Sequence, residues 1–363
     1  MTLFLFLLVL SAILYFYRNK GIPAVLYHQI NDYSNVNGKL FEEHIKYLVE
    51  NGYKGITVSE YINNEFDKKD KNIMITFDDG YYDNYAIAFP ILKKYNIKST
   101  IFLNSFYIKN EERDNMNNVI KNSGEANKVA MDNYNKTCNA TTWQYMTWVE
   151  AVEMHKSGIV DFQAHSHKHT PIFVNKNLLG IIKNTTGDSS DLYLYGRETK
   201  EGDPVFRKRG ECSTKGIIIK KEFFEKFNEF YKENKEKKNL NKLAQSFTEK
   251  YLGSLIKEES ESDAEDRIYK EGIKNKIEIE NFIGKKVEVF CWPWGHRSKF
   301  GMRILEKAGY RAFVTTKKGT NSIWGNNKKI RRIELRDFTL KKFILNIKLN
   351  RNLIIGRLYE LVS

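Results

Sequence analysis

A run of apolar and β-branched residues, Ile73-Met74-Ile75-Thr76-Phe77, passes without a break into Asp78-Asp79-Gly80. The run has the length and composition of a buried strand. Its end sets two carboxylates side by side, and the carboxyl ends of strands are where open and barrel α/β folds keep their chemistry. Adjacent carboxylates resist joint ionisation unless positive charge lies beside them. A metal ion meets that need, and a solvated Asp-Gly turn is the plain alternative.

A second strand-like run, Gly158 to Ala164, leads directly into His165-Ser166-His167-Lys168-His169. Three of the chain's 7 histidines fall in these five positions, so the segment concentrates imidazole. Positions i and i+4 share a face both in extended chain and in a helical turn, so His165 and His169 can converge on one point. Neutral imidazole is a common ligand for zinc and similar ions, and two His with one Asp leave positions open, as catalytic sites do.

Around these two stretches, strands alternate with helices. Ala24–Tyr27 reads as a strand ending at His28, an acid/base candidate by its place. Phe41, Ile45 and Leu48 mark a helix closed by Gly52. Ile56-Thr57-Val58 reads as a strand, with Ser59 capping the next helix. Tyr82 to Tyr95 reads as helical with a restart at Pro90, and Thr100–Leu103 as the next strand. Thr147 and Glu150 have capping-box spacing before a helix ended by Gly158. Such alternation predicts parallel strands joined by crossover helices.

Two stretches break the rhythm. Residues at about 106–141 are rich in Asn, Lys and Glu and read as a loop insertion. Residues at about 175–264 form a second insertion, where Phe223, Phe224, Phe227 and Phe230 make an aromatic stripe at helical spacing, read as core. Beyond them, Ile273–Ile283 is predicted helical, Val287–Phe290 a strand, and Phe338–Leu361 one closing amphipathic helix.

Together, Thr76-Phe77-Asp78-Asp79-Gly80 and His165-Ser166-x-x-His169 resemble the first two motifs of the polysaccharide deacetylases, the family 4 carbohydrate esterases with a NodB-type domain. Ala24 to Ile30, Phe41 to Tyr61, Pro90 to Tyr95, Ser99 to Leu103, Phe290 to Gly295 and Ala308 to Phe313 resemble the biofilm poly-N-acetylglucosamine deacetylase branch. The resemblance implies a distorted (β/α)7-type barrel with two insertions, preceded by an N-terminal hydrophobic helix. It implies a divalent metal, zinc first, on Asp79, His165 and His169, with Asp78 as general base. Leu26-Tyr27-His28 has the form of the family's last motif moved to the front, which makes His28 the general acid. In Trp292-Pro293-Trp294-Gly295, the resemblance gives Trp294 a backbone N–H for the oxyanion, and Trp292 and Trp294 a place against substrate. The wider family has an arginine two residues before the proline, where this chain has Cys291. Arg332 is the expected replacement, supporting the base.

The implied reaction removes N-acetyl groups from an N-acetylhexosamine polymer or oligomer. A deacetylase or deformylase of lipid-linked or small amides, and a non-catalytic glycan-binding relative, are the rival readings. Thr2 to Tyr17 is a nearly spanning apolar run, so residues 1–20 are expected to be a membrane anchor or signal segment, the anchor being favoured, with residues 21–363 as the domain at the cell surface. A formal charge of +14 favours anionic neighbours, but no nucleic-acid motif accompanies it, so no nucleic-acid partner is expected. Three scattered cysteines give no disulfide framework, and oligomeric state is left open.

Overall fold

The computed structural model describes residue 11 and residues 20–110, 144–184, 189–325, 327–335 and 339–362. The expected N-terminal helix and most of the first insertion lie outside these residues. No helix among the described residues is long and apolar enough to cross a membrane.

The chain enters through a two-residue strand, β1 (Gly21–Ile22), and β2 (Ala24–Tyr27), whose four residues are all buried. Helix α1 (Gly38–Glu50) is capped by the Asn37 side chain and buries Phe41, Ile45 and Leu48. Then come β3 (Tyr53–Ile56) and α2 (Val58–Asn63). The cap of α2 is Thr57 rather than the predicted Ser59: Thr57 and Glu60 close a reciprocal capping box, so the strand ends at Ile56. Strand β4 (Lys71–Asp79) carries the paired carboxylates. A π-turn, Asn84–Ala88, leads into α3 (Phe89–Lys94), and Pro90 sits in its first turn, where its missing N–H costs nothing. Strand β5 (Ser99–Leu103), helix α4 (Trp148–Lys156), opened by the Thr147–Glu150 capping box, and β6 (Val160–Ala164) complete this half.

The second insertion builds its own layer. Strand β7 (Pro171–Ile181) is followed by α5 (Ser189–Tyr195), β8 (Pro204–Gly210), β9 (Ile217–Ile219), α6 (Lys221–Asn234), α7 (Leu240–Glu249) and β10 (Ile256–Glu258). The four strands pair in the order β10-β9-β7-β8. The aromatic stripe of α6 packs beneath them with Phe173, Phe206 and Ala244. Helix α8 (Glu261–Ile283) follows, starting at Glu261 rather than the Ile273 that the apolar spacing alone indicated, because Ser260 caps it and its first turns pack by Ala264 and Ile268. Arg267 of α8 fastens the insertion to the barrel: it donates to the carbonyl oxygens of Glu211 and Thr214 and pairs with Glu259 at 2.7 Å.

Strand β11 (Val289–Cys291), helix α9 (Lys299–Lys307), β12 (Ala312–Val314), β13 (Asn321–Ser322) and β14 (Ile333–Glu334) close the fold. One parallel sheet runs β12-β11-β6-β5-β4-β2-β14, with β3 beside the start of β4. Its edges meet through a parallel bridge between Val314 and Ile330, so the sheet curls into a barrel. The closing segment is two helices, α10 (Leu340–Asn350) and α11 (Leu353–Val362), rather than one. Arg351 ends the first, and the Asn352 side chain caps the second by accepting from the Ile354 N–H.

Candidate active site

Every predicted ligand reaches the same end of the barrel. Asp79 closes β4, and His165 and His169 follow β6, two strands away across β5. Asp79 Oδ1 stands 3.6 Å from His165 Nε2 and 3.8 Å from His169 Nε2. All three ligand atoms lie within 4.8 Å of one another. The backbone is bent to achieve this. Asp79, Ser166, His169 and Trp294 all have positive φ (73°, 73°, 54° and 52°), four of the six described non-glycine residues that do. Left-handed backbone at a bulky residue costs energy and gathers at functional sites.

Second contacts fix the ligands. His165 Nδ1 lies 2.9 Å from the Cys291 carbonyl oxygen, which can only accept, so Nδ1 carries the proton and Nε2 presents its lone pair to Asp79. The His169 N–H donates to Ser166 Oγ at 3.0 Å. Burial pushes both imidazoles down to about 4, so they are neutral and ready to coordinate at neutral pH. Burial pushes the Asp79 carboxyl up, with His165 and His28 opposing it, which leaves a carboxylate in want of a nearby cation.

Asp78 is supplied differently. Arg332, fully buried, grips it with Nη1 to Oδ1 at 2.6 Å and Nη2 to Oδ2 at 2.8 Å. Burial alone would raise this carboxyl, but the Arg332 charge, then His165, outweighs burial and holds it well below the usual carboxylate range. Arg332 also donates to Cys291 Sγ at 3.0 Å. Cys291 thus stands beside Asp78 in the place where the wider family's arginine is expected, and the guanidinium arrives from across the barrel closure. Asp78, His165 and Cys291 form a second group close enough for a metal. It suits one poorly: Asp78 is already paired with a cation, and burial pushes the Cys291 thiol well up, keeping it protonated. The donor set of Asp79, His165 and His169 fits a divalent ion better.

These residues floor a cleft of about 440 Å³, which His28, Tyr81, Tyr107, Tyr145, Trp294 and Glu334 also line. His28, at the end of β2, is half-buried, and its carbonyl accepts from Asn84 Nδ2 at 2.8 Å. Trp294 is 41% exposed and its ring centroid lies 4.1 Å from that of His169. Trp292 is the exception among the predicted residues. Only 1% of it is exposed, and it packs in the core between Phe290 and Phe313, so its side chain cannot meet a substrate. One residue, Pro293, separates the pair, and the left-handed turn at Trp294 sends the rings to different surroundings.

Several cleft residues were missed by sequence reasoning. Tyr145 stacks between Tyr81, at 5.2 Å, and Tyr107, at 4.8 Å, forming one aromatic wall. Tyr107 lies at the start of the first insertion and Tyr145 just after its end, so nothing local joins them to Tyr81. Lys208 and Arg209 arrive on β8 of the second insertion. His296 accepts from the Gly210 N–H through Nδ1 at 3.0 Å and ties β8 to the loop after β11.

Fold and site define a class: α/β barrels that gather a carboxylate and two imidazoles at their strand ends, a donor set that could hold a metal ion. Residues 66–192 match the family model described as polysaccharide deacetylase. YxkH of Bacillus subtilis is 42% identical over 87 residues, 23% of this chain and 31% of that protein. A poly-beta-1,6-N-acetyl-D-glucosamine N-deacetylase of Staphylococcus aureus is 27% identical over 205 residues, 50% of this chain and 60% of its own. The chain therefore spans less than two thirds of either curated relative. Among solved structures, a de-N-acetylase from Aggregatibacter actinomycetemcomitans aligns over 90% of this chain and 99% of its own, with a TM-score of 0.59 at 17% identity. IcaB from Ammonifex degensii aligns over 91% and 98%, with a TM-score of 0.53 at 14% identity. These two establish the likeness of fold.

Proposed function

We propose that the protein is a metal-dependent hydrolase that removes N-acetyl groups from an N-acetylhexosamine-containing polysaccharide or oligosaccharide. The observation that carries the reading is the convergence of Asp79, His165 and His169 beside a carboxylate, Asp78, that already has its own cation. Asp79, His165 and His169 would hold the ion, zinc being the best match to two imidazoles and a carboxylate. When bound, such an ion polarises an amide carbonyl and makes water acidic, towards a pKa of about 7.

The remaining work falls to the chain's own groups. Asp78, kept ionised by Arg332, accepts the proton of the attacking water. The Trp294 backbone N–H is the candidate donor to the developing oxyanion. His28, across the cleft, protonates the departing nitrogen. The tyrosine wall and the Trp294 ring flank the sugar, since aromatic faces suit the apolar faces of pyranoses. The cleft continues into a second hollow that shares His28 and Glu334 and reaches Tyr33. That open-ended groove favours an extended glycan over a small amide.

The test joins elemental analysis of the purified protein to acetate release from N-acetylglucosamine oligomers and from small amides. About one divalent ion per chain, with acetate released from oligomers in preference to amides, is the expected result. Bound metal without turnover on any acetylated substrate would favour a glycan-binding role instead. We further propose that Thr2–Tyr17 anchors the protein and that the domain acts at the cell surface. Protease protection on intact cells tests this, and a fully protected domain would refute it.

A further inference from the structure

Arg209 belongs to two hollows at once. It lines the cleft over Asp79 and also an adjoining hollow walled by Arg207 and Arg297. Arg207 and Arg209 lie two apart on β8, so they share a face of that strand. Arg297 comes from the loop after β11, which the Gly210–His296 hydrogen bond holds against β8.

The charge of this wall is not offset locally. Lys208, between the two strand arginines, pairs with Asp191 at 3.0 Å. No ion pair joins Arg207, Arg209 or Arg297 to a carboxylate among the described residues, and Arg209 Nε is buried without a hydrogen-bond partner among them. Guanidinium presents planar, paired donors that match phosphate and carboxylate oxygens. A neutral N-acetylhexosamine polymer offers these forks only uncharged acceptors, and the amine left by deacetylation would be repelled by them.

We propose that Arg207, Arg209 and Arg297 form a subsite for an anionic substituent, phosphate or carboxylate, carried by the glycan next to the sugar being deacetylated. The proposal rests on the deacetylase reading of the adjoining cleft and narrows its substrate class to acidic glycans. The guanidiniums bind and orient; they take no part in the bond-breaking step.

The experiment compares kcat/KM for acetate release from three matched N-acetylglucosamine oligosaccharides: neutral, phosphate-bearing and uronate-bearing. At low ionic strength an anionic series is expected to be preferred by on the order of tenfold, and the preference should shrink as salt is added. In an R207Q/R297Q variant the anionic-to-neutral ratio should fall towards one, and R209K, which keeps the charge, should retain most of it. The better of the two anionic series identifies the substituent. Equal kcat/KM for all three in the wild-type protein, or a ratio untouched in R207Q/R297Q, overturns the subsite. Should none release acetate, the hydrolase reading fails, and dissociation constants for the same three oligosaccharides still decide the subsite by the same ratio.

Discussion

Arg332 holds both carboxylate oxygens of Asp78 although 254 positions separate them in the chain. The two meet because β14 lies beside β2, and β2 beside β4, with both side chains turned into the barrel. A buried ion pair adds little when intact, but removing one partner leaves a bare charge in a dry interior. Arg332→Ala should therefore lower stability by about 3–5 kcal/mol, read from denaturant unfolding. Arg332→Lys keeps the charge but loses the paired geometry, so it should recover much of that stability and little of the activity. Equal stability in Arg332→Ala and wild type would mean that Asp78 does not carry a charge in the folded protein.

Asp83 makes stability depend on pH. It is buried and accepts from Asn31 Nδ2 at 2.7 Å and Asn84 Nδ2 at 2.9 Å. Burial nonetheless pushes its carboxyl up to about 7. The unfolded chain releases this proton near the ordinary carboxylate pKa of about 4, so between about 4 and 7 the folded state binds more protons. Its contribution to stability is full below that window and is lost as pH rises through it, by up to ~1.4 kcal/mol per pH unit. The unfolding free energy of Asp83→Asn, measured from pH 4 to 8, should fall less steeply than that of wild type. Parallel curves would remove Asp83 from the account.

How far the sequence reached depends on distance along the chain. That Asp79, His165 and His169 lie close together was legible from short local runs, because strand ends and histidine spacing are local signals. The Thr147–Glu150 capping box was legible for the same reason, and Thr57–Glu60 was available in the same pattern but was passed over for Ser59. Arg332 could be proposed only by resemblance, because its partner Asp78 lies 254 positions away in the chain, beyond β2 in the sheet. The tyrosine wall and the arginines of β8 were out of reach: each depends on where an insertion folds back, and periodicity within the insertion reports only its own core. Trp292 and Trp294 looked alike because nothing local to the motif announces the left-handed turn that separates their rings.

That turn makes a direct comparison. Trp292 fills the core, so Trp292→Ala should cost about 3–5 kcal/mol and lower Tm by on the order of 10 °C. Trp294 is 41% exposed and lies against His169, so Trp294→Ala should leave Tm nearly unchanged. Its kcat/KM for acetate release should fall by roughly 10–100-fold, through loss of a cleft wall and of the contact that orients His169. Thermal melts and steady-state rates on the two variants read this split. The reverse pattern would place the wrong ring in the cleft.

The division of labour between ligands and His28 is open to a sharper test. Asp79→Ala and His165→Ala each remove one of three donors, so both should lose bound metal and, with it, acetate release; chelation of the wild-type protein should do the same. His28 contributes no atom to the Asp79–His165–His169 group. His28→Ala should therefore keep a full complement of metal while kcat falls by about 10²–10⁴-fold, the usual scale for a lost general acid. The deficit should be smallest for substrates whose leaving nitrogen needs no proton, such as activated anilides, because those depart without help. Metal content and rates measured together on the same preparations separate the two roles. Loss of metal in His28→Ala would make His28 part of the ion's support, and a uniform deficit across good and poor leaving groups would take the proton donor elsewhere in the cleft.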